Sequence, residues 1–99
     1  ANIVRSEQAA QQCWSVGGNV VIVFDENERG GVRKACAEVA SQTGGAQIFY
    51  GLNGVGGPSA KLILQCLAQR GRMVTYGGMG MDSNIEVATR QVLFEHKVL

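Results

Sequence analysis

Proline, histidine and charged residues are all scarce in this sequence. The small and scattered charge excludes a nucleic-acid partner. The 99 residues include one proline, one histidine and 17% charged residues, against roughly 25% in an average domain. The net charge of +1 comes with no run of like charges, which excludes the basic surface that nucleic-acid binding requires. No apolar run approaches the ~18 residues of a membrane span, and the first residues lack the apolar stretch of a signal peptide. We therefore expect neither nucleic acid nor a membrane as a partner.

The sequence also lacks the spacing patterns of a metal site or a nucleophilic active site. Cys13, Cys36 and Cys66 form no C-x-x-C pair, and His96 lies far from all of them along the chain. Zinc sites use closely spaced ligand pairs, so no metal site is predicted. The serine, cysteine and carboxylate side chains form no complete constellation with the histidine, so we predict no catalytic residue within this chain.

What the sequence does contain is a regular alternation of strand-like and helix-like segments. Apolar residues make up 45% of the chain, and its length suits one domain. Ser6 is placed to cap the first helix. The β-branched run at 19–24 is typical of a strand buried on both faces. The predicted strands are 1–4, 19–24, 47–50 and 72–76, and the predicted helices are 7–15, 32–42, 58–70 and 88–94. This order favours an α/β fold of three layers around a parallel sheet.

Ligands of such sheets bind beyond the carboxyl ends of the strands. The predicted ends are Arg5, the turn after Phe24, the segment 53–57 and the segment 76–79. Arg5 and Ser6 bring a cation, a hydroxyl and helix N–H groups together, which suits a phosphate, although a solvated arginine explains the same residues.

The glycines near two of these strand ends allow more than one interpretation. The segment 54–59 follows a strand and opens a helix, as a G-x-G-x-x-G dinucleotide motif does, but Ser59 stands at the third glycine. It suits a pyrophosphate loop, a tight turn, or a turn that lets a dinucleotide pass close to the backbone. Gly77 and Gly78 follow a strand directly, which favours either a close approach by a ligand or a turn with positive φ.

Four segments match the pattern of one known family. They are N-I-V-R at 2–5, G-L-N-G-V-G-G at 51–57, M-V-T-Y-G-G-M at 73–79 and V-L-F-E-H-K-V-L at 92–99. Together they resemble the mitochondrial trans-2-enoyl-thioester reductases of the medium-chain dehydrogenase/reductase superfamily. The resemblance spans nearly the whole chain, and M-V-T-Y-G-G-M is its most specific part.

The resemblance implies that residues 1–99 are part of a Rossmann-type nucleotide-binding domain, from its second strand to just before its last. The first strand with its glycine loop, the last strand, and the substrate domain with its proton-donating tyrosine would lie outside the chain. The chain alone is then expected to be inactive. The full enzyme would use NADPH to reduce trans-2-enoyl thioesters, carried by CoA or acyl carrier protein. It would do so as a homodimer, in mitochondrial fatty-acid synthesis.

The same resemblance implies where the cofactor would bind. Arg5 and Ser6 would face the adenosine 2′-phosphate. The residues implied to line the nicotinamide end are Tyr76, Gly77, Gly78 and Met79, and those implied to lie along the cofactor between the two ends are Asn53, Val55 and Gly56. Glu7 stands where the family tends to have a second basic residue, so the preference for NADPH is expected to be weaker than in relatives.

Two alternatives remain open at the level of sequence. A quinone-reductase-like enzyme of the same superfamily would share this part of its chain. A non-catalytic nucleotide-binding or protein-interaction module is the alternative from another class, because the 99 residues hold no complete catalytic constellation.

Overall fold

The computed structural model describes residues 1–80 and 84–99, and strands and helices alternate along them as the periodicity predicts. In chain order the elements are β1 (Asn2–Val4), α1 (Glu7–Ser15), β2 (Val21–Val23), α2 (Gly31–Gln42), β3 (Tyr50–Asn53), α3 (Gly57–Cys66), β4 (Arg72–Thr75) and α4 (Thr89–Leu93). The α/β class is confirmed. Met81 and the start of the polar turn predicted after it lie outside the described residues.

The chain divides into two compact units, Ala1–Ala46 and Gln47–Leu99. Each unit holds one pair of parallel strands, β1 with β2 and β3 with β4. Two pairs of parallel strands are consistent with the incomplete Rossmann-type sheet that the sequence predicts, in which the first strand is missing.

In the first unit, helix α1 has the bounds that the sequence predicts, because both of its ends are set locally. Ser6 has extended backbone angles, and its hydroxyl oxygen accepts the Ala9 N–H at 3.1 Å. At the other end the Gly18 N–H donates to the Cys13 carbonyl at 2.8 Å, and Gly17 takes a φ of 100°. Trp14, on the same face of the helix as buried Ala10, is 47% exposed.

Strand β2 is shorter than the predicted strand 19–24. Its partner β1 has only three residues, which pair with Val21, Ile22 and Val23. Burial on both faces holds for the first two of these residues, but Val23 at the strand end is 39% exposed. The length of the strand is therefore set by its partner and not by its own apolar run. The buried apolar residues of this unit are Ala10, Val21, Ile22, Phe24, Ala35 and Val39.

In the second unit, β3 begins three residues later than predicted, at Tyr50 instead of Gln47. Gly51, which follows the predicted strand 47–50, lies within the strand. A Cβ at this position would overlap Cγ2 of Ile63 on α3, so the glycine allows strand and helix to pack closely. As a result, Asn53 is the last residue of the strand, opposite Thr75 on β4.

Helix α3 begins as predicted, with Pro58 in its first turn, but it ends at Cys66 and not near Gly71. Leu67 leaves the helix with extended backbone angles and packs in the core. The buried Lys97 side chain donates to the Leu64 carbonyl at 2.7 Å, in the last turn of the helix. A tertiary contact therefore completes this helix end.

Beyond β4, residue Val98 forms a parallel bridge with Arg72, and the Met73 N–H donates to its carbonyl at 2.8 Å. β4 thus lies between β3 and this terminal segment. The core of the unit consists of Ala60, Leu64, Leu67 and Met73, with Ile48, Ile63, Ile85 and Val87 packed against it. No helix in residues 1–80 and 84–99 has the length and apolar character to span a bilayer.

Candidate cofactor site

In the first unit, the candidate phosphate-binding residues lie between β1 and α1. Arg5 is exposed and forms no ion pair within the part of the chain that the structure describes. Ser6 uses its hydroxyl oxygen as the helix cap, which leaves its O–H free to donate. Glu7 is exposed in the first helical turn. The junction offers a solvated cation beside a helix N-terminus, an arrangement that favours an anion.

In the second unit, the loops that follow β3 and β4 are bonded to each other beyond the ends of the strands. The Tyr76 N–H donates to the Asn53 carbonyl at 2.9 Å, and the Met79 N–H donates to the Gly54 carbonyl at 3.3 Å. A further bond of 2.9 Å joins the Gly80 N–H to the Val55 carbonyl. The two loops therefore form one continuous surface at the carboxyl end of the strand pair, which we call the paired loops (residues 53–56 and 76–80).

Asn53 holds the paired loops from inside. Its side chain is 1% exposed, and Oδ1 accepts the N–H groups of Val55 at 3.3 Å and Gly56 at 3.0 Å. Its Nδ2 donates to Thr75 Oγ1 at 3.2 Å. The amide therefore ties the end of β3, the turn after it and the end of β4 together.

Three glycines of the paired loops differ in what surrounds them. A Cβ at Gly54 would lie 2.7 Å from the phenol end of Tyr76, and one at Gly77 would lie 3.1 Å from the Gly54 carbonyl oxygen. Gly77 therefore lets the two loops approach each other, whereas Gly54 leaves room for the Tyr76 side chain. Nothing lies within 4 Å of a Cβ built at Gly78. The absence of a side chain at Gly78 therefore leaves backbone open to an incoming group.

Apart from buried Asn53, the side chains on the paired loops face solvent. Tyr76 is 73% exposed and Met79 is 86% exposed, although both are large and apolar. Val55 is exposed to a smaller extent. Exposed apolar groups next to bare glycine backbone form a surface that suits a planar ring with polar edges.

The N-terminus of α3 has few free N–H groups. Gly56 donates to the Asn53 side chain, Gly57 donates to the Asn84 carbonyl at 3.1 Å, and Pro58 has no N–H. Gly56 and Gly57 have φ angles of 86° and 54°. This geometry favours the tight-turn interpretation of the segment over a pyrophosphate loop, because the donors that a phosphate would need are occupied.

The turn after Phe24 forms a shallow pocket of about 40 Å³. Asp25, Glu28 and Glu38 line it with Lys34, so carboxylates predominate and an anionic ligand is disfavoured. The described residues include no cluster of histidine, cysteine and carboxylate side chains that would hold a metal.

The structure thus places the predicted residues of segments 53–56 and 76–79 together, whereas Arg5 and Ser6 belong to the other unit. Thr75 is the member of the site that sequence reasoning missed. Its position as a hydroxyl residue at the end of a strand, within M-V-T-Y-G-G-M, could have indicated it.

Comparisons with known proteins show what the chain is similar to. No protein-family model matches the chain. It is 29% identical to the mitochondrial enoyl-[acyl-carrier-protein] reductase of Dictyostelium discoideum, across 96% of the chain and 26% of that protein. A structure of Etr1p with NADP and crotonyl-CoA is 27% identical with a TM-score of 0.72, over 97% of the chain and 27% of Etr1p. The resemblance to the mitochondrial enoyl-thioester reductases is confirmed.

Further solved structures have the same fold. The mitochondrial 2-enoyl thioester reductase Etr1p/Etr2p heterodimer from Candida tropicalis is 26% identical with a TM-score of 0.73, over 97% of the chain and 27% of that protein. A candidate NADPH:quinone reductase from Mesorhizobium loti is 22% identical with a TM-score of 0.70, over 97% of the chain and 26% of that protein, and this likeness shows the fold alone. The chain has the fold of a partial Rossmann-type domain, and it spans about a quarter of the enoyl-thioester reductases that it matches.

Proposed function

We propose that the chain is part of the nucleotide-binding domain of an NADPH-dependent reductase of trans-2-enoyl thioesters. The observation that carries the proposal is the surface of the paired loops, where bare glycine backbone lies between exposed apolar side chains. It occurs in a chain that is similar over 97% of its length to a reductase solved with NADP and crotonyl-CoA. In the proposed reaction, hydride passes from NADPH to one alkene carbon and a proton is added to the other, giving a saturated thioester and NADP⁺.

Each unit by itself holds residues that suit one end of NADPH. The open backbone at Gly78 and the exposed side chains of Tyr76 and Met79 would line the nicotinamide ring, and Arg5 with Ser6 would bind the 2′-phosphate. NADPH would supply the hydride, and these residues would bind and orient it. Among the residues proposed to lie between the two ends, Val55 and Gly56 would face the cofactor through the turn that Asn53 holds from inside.

The substrate would be an enoyl group on CoA or on acyl carrier protein, as the names of the relatives suggest. The Etr1p/Etr2p heterodimer from Candida tropicalis supports a dimeric assembly, which we propose to be a homodimer here, and the mitochondrial relatives support a mitochondrial location. A quinone-reductase-like enzyme is the second candidate, because the Mesorhizobium loti protein shares the fold.

The test uses the full-length protein that carries this chain. Incubation with NADPH and crotonyl-CoA should consume NADPH and form butyryl-CoA in equal amounts, and replacing the thioester with a quinone should consume little. Consumption with the quinone alone would favour the second candidate. Binding of NADPH without turnover of either substrate would favour a non-catalytic module.

A further inference from the structure

The orientation of the Asn53 amide is fixed by its neighbours. The N–H groups of Val55 and Gly56 both donate to one atom of the side chain. Only the amide oxygen is able to accept a hydrogen bond, so this atom is Oδ1 and the other is the NH₂ group. The group that lies 3.2 Å from Thr75 Oγ1 is therefore a donor.

This orientation fixes the direction of the Thr75 hydroxyl. Because Oγ1 accepts a hydrogen from Asn53, its own proton must point elsewhere. Thr75 is an exposed residue, and within residues 1–80 and 84–99 its hydroxyl makes no second hydrogen bond. It lies at the carboxyl end of β4, directly before Tyr76 of the paired loops. The site therefore contains an outward-facing donor whose direction a buried amide controls.

We infer that Thr75 is a further cofactor-site residue, whose hydroxyl donates a hydrogen bond to an acceptor atom on the nicotinamide half of the bound dinucleotide. Asn53 is the positioning residue that turns this donor outward. The inference rests on the proposed function. Both polar atoms of the buried Asn53 side chain are bonded within the protein. Asn53 therefore acts on the cofactor through Thr75 and not by direct contact.

Two substitutions distinguish the loss of the Thr75 hydroxyl from a change in the direction in which it donates. Thr75→Val keeps the shape of the side chain and removes the donor. Asn53→Asp keeps the acceptor for the Val55 and Gly56 N–H groups but replaces the NH₂ group with an oxygen. The Thr75 hydroxyl would then donate inward to that oxygen, so the donor is present but points away from the cofactor.

The experiment titrates the full-length protein and its variants with NADPH and with 2′-AMP, which carries only the adenosine half. Thr75→Val and Asn53→Asp should each weaken NADPH binding about tenfold, the upper end for a neutral hydrogen bond, and leave the affinity for 2′-AMP unchanged. Thr75→Ser restores the hydroxyl and should bind NADPH within about threefold of the wild type. Thr89→Val, at the exposed start of α4, is the matched control and should change neither affinity.

The outcomes distinguish the inference from the proposed function. If the wild-type protein does not bind NADPH, both fail. If the wild type binds NADPH and folded Thr75→Val or Asn53→Asp binds it equally well, the inference alone fails. An equal loss of NADPH and 2′-AMP affinity would show a structural role and would also overturn it. Unfolding temperatures identify any variant that does not fold. If Thr75→Val does not fold, the NADPH affinity of Asn53→Asp tests whether Thr75 donates to the cofactor.

Discussion

At the scale of single residues, glycine serves two purposes in the paired loops. Gly77 relieves a tight approach to the Gly54 carbonyl oxygen, and Gly54 leaves room for the phenol end of Tyr76. Gly78 has no such neighbour and no positive φ. Neither close packing among the described residues nor a positive φ explains the glycine at this position. An approaching ligand would explain it.

We expect Gly78→Ala to fold normally and to bind NADPH less well. The added methyl group meets nothing within 4 Å, so the free energy of unfolding should change by less than about 0.5 kcal/mol. Calorimetric titration with NADPH should show the loss, and 2′-AMP serves as the control ligand. Unchanged NADPH affinity in a folded Gly78→Ala protein would show that the cofactor does not approach this backbone.

Arg5 should determine the preference for NADPH. Arg5→Ala should raise the KM for NADPH about tenfold and leave that for NADH nearly unchanged, because only NADPH carries the phosphate. Glu7→Arg should strengthen the preference by removing a repulsive carboxylate. Steady-state kinetics of the full-length enzyme measure both, with exposed Arg33→Ala on α2 as the matched control. An equal loss for both cofactors would make Arg5 a structural residue.

The residues of the paired loops are recognisable in the sequence, but the hydrogen bonds within them are not. Asn53 and Tyr76 are recognisable because they stand in glycine-rich segments at strand ends. The bond between Asn53 and Thr75 joins residues 22 positions apart, and it depends on the register of two strands. No local pattern encodes that register, so the burial of Asn53 and the part played by Thr75 emerge only from the structure.

At the scale of elements, boundaries set by neighbouring residues were predicted correctly and those set by distant contacts were not. The bounds of α1 follow from Ser6 and from the glycines after the helix. The predicted end of β3 was wrong because Gly51, which packs closely against Ile63 on another element, lies within the strand. The end of α3 was wrong because Lys97, far along the chain, completes it. Helix ends that are set by local capping can be predicted from the sequence, whereas ends that depend on packing between elements cannot.

The close approach of β3 and α3 predicts a compensating pair of substitutions. Gly51→Ala places a methyl group against Ile63 and should cost about 1 to 3 kcal/mol of unfolding free energy, the usual cost of overpacking. Ile63→Ala should also destabilise, by leaving a cavity. The double variant should lose less than the sum of the two, as measured by denaturant unfolding. Additive losses would mean that the two positions do not share this space.

The buried Lys97 should stabilise the second unit through the end of α3. Its Nζ donates to the Leu64 carbonyl and pairs with Glu95 at 2.9 Å. Lys97→Met keeps the apolar stem but leaves both acceptors without this donor, and should cost about 1 to 3 kcal/mol in chemical denaturation. Lys34→Met is the matched control. It breaks an exposed pair with Glu28, so its effect should stay within about 0.5 kcal/mol.

At the scale of the whole molecule, the described chain leaves much apolar surface open. Tyr50, Leu52 and Val74 lie on the strand pair of the second unit and are all exposed. The outer edges of β1 and β3 pair with no other strand among the residues described. Strand edges and apolar faces of this kind are where further chain packs in a larger α/β domain.

The 99-residue chain on its own should therefore associate in solution. Sedimentation velocity should show species larger than a monomer that increase with concentration, because apolar side chains such as Leu52 would be buried between copies. Leu52→Lys should reduce this association by placing a charge on the strand pair. Val16→Lys adds the same charge at the exposed C-cap of α1, outside the strand pair of the second unit, and should change it little. A chain that stays monomeric and unfolds cooperatively would show that the open strand surface is stable without a cover, which would argue against its belonging to a larger domain.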